Sequence, residues 1–164
     1  MPIYYLNSPD MSFSTQQFYQ GVNSPGGTIL PGNTETWFFY TGVAFPNAQS
    51  ASAGSCSIVI QHAVTSMNIT VQPVLYRYRD GVGNVTSTSF AAQTTAATNT
   101  FTGVDPSWSG SICSDRILLV TSYNNNAMSA QTYQFFQGSF SYYSSSIPIN
   151  TGSCPVLKNR TFVL

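Results

Sequence analysis

Residues 67–79 read Met-Asn-Ile-Thr-Val-Gln-Pro-Val-Leu-Tyr-Arg-Tyr-Arg, and residues 115–120 read Asp-Arg-Ile-Leu-Leu-Val. Neither holds apolar side chains at helical spacing, and both are dense in β-branched or aromatic residues, the composition of strands. In the first run Ile69 and Val71 share one face. Pro73, Leu75, Arg77 and Arg79 join them if pairing stays regular, which leaves Val74, Tyr76 and Tyr78 on the other. Pro73 removes a ladder donor and so predicts an edge position or a bulge. The second run is apolar on both faces, which predicts a central strand covered on both sides.

Outward from these two runs, strands are expected near 3–6, 35–43, 56–64, 68–79, 84–90, 98–103, 115–123 and 131–138, with 140–149 a further candidate. Asp80-Gly81-Val82-Gly83-Asn84 reads as a hairpin loop. A calcium loop would need more than its single carboxylate. Residues 91–99 hold Ala, Thr, Gln and Asn but no core-forming side chain, as an exposed connection or flat edge strand would. Asp105-Pro106 starts a turn that leads to Trp108. The fold class is therefore all-β, an antiparallel two-sheet β-sandwich, jelly-roll-like, of about eight strands with almost no helix. Ile58, Ile60, Ile69, Val71, Leu118 and Val120 are expected among its buried positions.

The chain has 164 residues, enough for one domain with its own core. Residues 31–150 form the expected sandwich, 1–30 an amino-terminal arm with a short first strand, and 151–164 a carboxy-terminal arm. Only 6% of residues are charged, five basic against five acidic, where ~25% is usual. Phosphate binding needs clustered Lys and Arg, so nucleic acid is excluded as a main partner, and so is attraction to a membrane surface. Polarity comes instead from Ser, Thr, Asn and Gln, 63 of the 164 residues. Aromatic residues at 14% argue for a folded core. The amino end shows no secretory signal pattern, and no stretch approaches the ~18 apolar residues of a membrane span.

Candidate chemistry is sparse. His62 is the one histidine, it lies within an expected strand, and no Gly-x-Ser-x-Gly elbow occurs; it is expected to be a hydrogen-bonded structural residue. The acids Asp10, Glu35, Asp80, Asp105 and Asp115 fall mostly at strand ends and turns, without the pairing that glycoside hydrolysis requires. Cys56, Cys113 and Cys154 are too widely spaced for a zinc site. Reduced thiols are expected, with one Cys56–Cys113 bridge as the alternative. Asp115-Arg116 reads as a corner ion pair capping its strand, or alternatively as a ligand-capture pair. Asn68, Asn84 and Asn159 begin matches to the glycosylation acceptor pattern that are expected by chance. No catalytic residue, cofactor site or metal site is expected, and the chain is read as a protein that is not an enzyme.

Apolar side chains on the two arms need somewhere to bury. Tyr4, Tyr5, Phe13 and Phe18 at one end, and Lys158, Arg160, Phe162 and Leu164 at the other, are the candidate assembly contacts. Their partner is a neighbouring copy, another protein, or the chain's own sandwich.

The segment from Thr70 to Phe136 resembles a sandwich module of tailed-phage virion proteins, such as head-decoration and tail-associated subunits. The resemblance is carried in order by Val71-Gln72-Pro73-Val74-Leu75-Tyr76-Arg77, Trp108-Ser109-Gly110, Asp115-Arg116-Ile117-Leu118-Leu119-Val120 and Ala130-Gln131-Thr132-Tyr133-Gln134-Phe135. Tyr4-Tyr5-Leu6 and Thr36-Trp37-Phe38-Phe39 extend it over most of the chain. The aromatic first arm and the Cys154-Pro155 arm depart from it. It implies a virion structural protein, a capsid decoration or cement protein that stabilises the head, assembled in the cytoplasm of a bacterial host. Its partners would be the major capsid protein or another virion protein, and further copies of itself as a trimer or higher homo-oligomer. The alternative it leaves is a tail- or fibre-associated module that binds a receptor or glycan.

Overall fold

The computed structural model describes residues 3–6, 10–13, 25–41, 54–79, 81–106 and 115–146. Among the described residues there are twelve strands and no helix. They are β1 (Ile3–Leu6), β2 (Asp10–Phe13), β3 (Gly26–Ile29), β4 (Thr34–Thr41), β5 (Ser55–Val64), β6 (Ile69–Arg79), β7 (Gly83–Ser89), β8 (Gln93–Thr94), β9 (Thr98–Val104), β10 (Asp115–Asn125), β11 (Gln131–Phe135) and β12 (Gly138–Ser145).

Two antiparallel sheets pack against each other. In one, β10 lies between β4 and β6, and β6 carries β7 and β8 in succession along its other side. In the other, β5 lies between β9 and the pair β11 and β12, which occupy successive stretches of one side of β5. Beyond them β3 pairs with β11 and β1 with β12. Along one side the layers are joined, because β1 also pairs with β2, and β2 runs parallel to β4.

Alternation along the long strands decides what lies inside. Ile69, Val71 and Leu75 of β6 and Ile117, Leu119 and Tyr123 of β10 face Ile58 and Ile60 of β5, Phe101 of β9, Tyr133 and Phe135 of β11 and Tyr143 of β12 in one core. Aromatic rings fill the middle: Tyr123 stacks on Tyr133 at 4.1 Å and on Phe135 at 5.8 Å, and Phe39 meets Phe135 edge-on at 6.2 Å. Such pairs contribute about 0.5–1.5 kcal/mol each beyond burial. The Trp37 indole N–H donates to the Tyr133 hydroxyl at 2.6 Å, so a polar group is satisfied at the rim of the cluster.

Several expectations change. Pro73 lies in the middle of a central strand, opposite Thr121 in an unbroken ladder with β10. Its carbonyl accepts from the Phe90 N–H, so its polar groups face the side where β7 ends and β8 has not begun. The missing N–H falls in that gap, where no neighbour requires it. The bulge falls instead in the neighbouring strand, where Val85 of β7 is the extra residue opposite Arg77 and Tyr78. Val120 is half-exposed rather than buried, because the inward positions of β10 are 117, 119, 121 and 123. The short first strand expected within residues 1–30 is β1, and β2 and β3 are paired strands as well, with Tyr4, Leu6 and Ile29 in the core. Residues 91–99 take the edge-strand alternative, since they contain β8, and they bury Thr95 and Asn99.

Candidate functional site

Strand direction sorts the polar groups to two ends of the sandwich. Following the ladders from β10 through β4, β2, β1 and β12 to β5, β5 and β10 run the same way. His62 late in β5 accordingly meets Tyr123 late in β10. The starts of β5 and β10, and the ends of β6, β9 and β12, therefore share one end.

Among the residues whose side chains are described, that end holds five charged ones: Arg77, Arg79, Asp105, Asp115 and Arg116. Arg77 and Arg79 are on the inward face of β6, continuing the row Ile69, Val71 and Leu75, and Asp115 is on the inward face of β10, directly opposite Arg79. Asp115 is fully buried and accepts from Arg77 Nη2 at 2.7 Å and Nε at 3.2 Å, and from Arg79 Nε at 2.7 Å and Nη2 at 3.1 Å. Burying a carboxylate without such donors costs several kcal/mol. This corrects the expected Asp115–Arg116 corner pair. Neighbours in a strand point to opposite faces, so Asp115 takes its ionic partners from β6, while Arg116 is buried on the outward side.

Asp105 forms a second buried cluster at this end. Its carboxylate accepts from the Tyr143 hydroxyl and from the Ser145 hydroxyl at 2.6 Å, and its N–H donates to the Gly54 carbonyl at 2.8 Å. Burial holds its pKa above the usual carboxylate value, opposed by the Ser145, Tyr143 and Cys56 hydrogen bonds. The Cys56 thiol, pushed up to about 12 by burial and by Asp105, is free and unreactive. Tyr4 stacks on Tyr143 at 5.6 Å. Its pKa lies well above the usual tyrosine value through burial and the nearby Asp105. The cluster ties the ends of β9 and β12 to the start of β5. Nothing in the sequence joins positions 56, 105, 143 and 145, so it escaped sequence reasoning.

At the opposite end, termed the neutral end, the fully buried polar groups are uncharged, and the one charged side chain among the described residues is Glu35, half-buried on β4 in register with Tyr123. His62 Nδ1 is 2.9 Å from the Ala96 carbonyl, and Nε2 is 3.2 Å from the Tyr123 hydroxyl. A carbonyl only accepts, so Nδ1 carries the proton, and Nε2 of the neutral ring accepts from Tyr123. Burial lowers the His62 pKa to about 4, against a smaller raising effect of the Ala96 bond. This is the structural histidine expected from sequence. Beside it, the Asn125 amide donates to the Ile29 and Ser129 carbonyls at 2.8 and 2.9 Å, and its oxygen accepts from the Ala127 N–H at 2.8 Å. Asn99 binds the Thr94 carbonyl, the Gln93 side chain and the Ala96 N–H in the same manner. Buried amides here replace the backbone partners that the loops lack.

Among the described residues, no group of three His, Cys, Asp or Glu could hold a metal ion. Of the eight candidate assembly residues, Tyr4, Tyr5 and Phe13 fall in the described strands. Tyr4 is 2% exposed and packs in the chain's own sandwich, one of the three partners expected for it. Tyr5 is half-buried on the outward face of β1, in register with Tyr142 and Ser12. Phe13 pairs with Tyr4 through the backbone of β2. Phe18, Lys158, Arg160, Phe162 and Leu164 lie outside the described residues, as do Cys113 and Cys154.

The outward surfaces hold the features that remain. Phe38 on β4 is 41% exposed, next to the buried Phe39. Phe140 on β12 is 38% exposed and lies 5.4 Å from the Phe136 ring. Met67 and Met128 are almost fully exposed on the loops of the neutral end.

No protein-family model matches the sequence, and no curated protein is similar to it. Among solved structures, the chain is similar to one from the structure of infectious bursal disease virus, Gx strain, at 15% identity and a TM-score of 0.36. The match covers 74% of this chain and 31% of that one, so this chain spans about a third of that protein's length.

Proposed function

We propose that the chain is a non-enzymatic structural subunit of a virion, of the kind that decorates or cements a phage head by binding the major capsid protein or another virion protein. The observation that carries this reading is the inward placement of charge. Arg77 and Arg79 both spend their guanidinium groups on the buried Asp115, and Arg116 and Asp105 are buried as well. Among the described residues, the outer faces carry mainly hydroxyl and amide side chains, with exposed Phe38, Phe140, Val85 and Val104. Such a surface has little like-charge repulsion to hold copies and neighbours apart, which suits close packing in an assembly. The resemblance to tailed-phage virion modules supports the same reading.

The test is to delete the gene in the phage that carries it and to examine the particles. A decoration or cement subunit would be present in purified virions at fixed high copy number, and its loss would leave heads that open at lower temperature. Heads of normal stability with lost adsorption to the host would transfer the protein to the tail as a receptor- or glycan-binding module. Absence from purified particles would reject both.

A further inference from the structure

Among the described residues, four strands have one partner each: β8, of only two residues, and β3, β7 and β9. β3 has four residues and two glycines. The rim of β9 is occupied, since the Gln93 side chain donates to the Thr100 carbonyl at 3.0 Å and the Phe90 ring sits 2.7 Å from where a Cβ on Gly103 would be. β7 differs from both. The Phe90 N–H donates to the Pro73 carbonyl at 3.1 Å, which fixes the phase of the ladder with β6. Alternate residues address the same neighbour, so Thr88 and Thr86 bond β6, while the N–H and C=O groups of Ser87 and Ser89 point away from the sheet.

The one device that blunts this edge is the bulge at Val85, and residues 86–89 are left regular. The strand contains no Lys, no other charge and no Pro, and its one irregularity lies at the Val85 end. Val85, Ser87 and Ser89 are all exposed.

We propose that β7 is a strand-addition edge that pairs antiparallel with β7 of a second copy of this chain, about a two-fold axis at Ser87. The occupant follows from symmetry. A two-fold axis brings a strand against its own reverse, so any charge on it would meet a like charge, and β7 carries none. In this register Ser87 faces Ser87 of the second copy, Thr86 faces Thr88, and Val85 faces Ser89. Threonine pairs across strands are favourable, and the outward backbone groups of Ser87 and Ser89 find partners. The contact is independent of the virion reading, and it extends the β4–β10–β6–β7 sheet across two molecules.

Sedimentation of the purified full chain tests it, together with oxidative cross-linking. The protein should sediment as a dimer. Ser87→Pro removes an outward N–H without touching the β6 ladder, and should weaken dimerisation at least about tenfold with an unchanged circular dichroism spectrum and melting temperature. Ser87→Cys should give a disulfide-linked dimer, since facing Cα atoms ~5.5 Å apart suit the bond. Ser89→Cys, which faces Val85, should give no more than the parent protein with its native cysteines. A monomeric parent, a dimer that Ser87→Pro leaves intact, or equal cross-linking through positions 87 and 89 would overturn the proposal.

Discussion

The two ends of the sandwich solve the same problem with different chemistry. Both must bury polar groups where strands run out. The charged end does so with an acid between two guanidinium groups and with a carboxylate under two hydroxyls. The neutral end does so with amides and one neutral imidazole bonded to loop backbone. Ionic burial carries a large desolvation cost and fails badly when one partner is removed, whereas a neutral amide network loses only its own bonds. Acid should also act on His62 and on Asp105 in opposite directions.

The largest effect should come from Asp115→Ala, which leaves Arg77 buried without its carboxylate and should cost about 3–5 kcal/mol in denaturant unfolding. The double change Asp115→Leu with Arg77→Met should cost less than the single one, because it removes the buried charge along with its partner. An equal or larger loss in the double variant would break the contrast between the ends.

Next comes the response to acid at the neutral end. His62 has a folded pKa of about 4 against 6.5 for the unfolded chain. Between those values the unfolded state binds a proton that the folded state does not, so stability falls as the pH drops from 6.5 to about 4. The loss should total about 3 kcal/mol. Urea midpoints measured across that window should slope accordingly, and His62→Gln should remove most of the slope.

Asn125→Ala should cost about 2 kcal/mol, since it strands two carbonyls and one N–H around a buried site. Melting of the purified variant measures it. The smallest effect is expected at Asp105. Its raised pKa means that the folded state holds a proton the unfolded state has released, so its contribution is fully present below the unfolded value and is lost as pH rises through the folded one. Asp105→Asn keeps an acceptor for Tyr143 and should change stability at neutral pH by no more than about 1 kcal/mol while removing that slope.

Much of the fold was legible because the long strands carry their own pattern. The expected strands at 56–64, 68–79, 98–103 and 115–123 match β5, β6, β9 and β10 to within two residues at each end. β2 and β3 were missed, since a run such as Gly26-Gly27 has no apolar period and becomes a strand only because a neighbour offers a ladder, while β8 fulfils the edge-strand alternative for 91–99. Pro73 misled for a related reason: its effect depends on which side of the strand the nitrogen faces, and sequence alone does not carry that. The charged site was half-visible. Alternation placed Arg77 and Arg79 on the inward face with Ile69 and Val71, and a buried guanidinium requires an acid nearby. The identity of that acid depended on the register of β6 with β10.

The pairing of β1 with β12 also sets an order of events during synthesis. Tyr4 and Leu6 belong to the core, yet β1 hydrogen-bonds to residues 138–144, which leave the ribosome more than a hundred residues later. Until then the aromatic first segment has no ladder to join on that side. Closure of the sandwich therefore waits for nearly the whole described chain, and loop-closure entropy makes such a distant pairing slow. The nascent protein would be a natural client for a holding chaperone, and its soluble yield should depend on translation speed and temperature more than its final stability does.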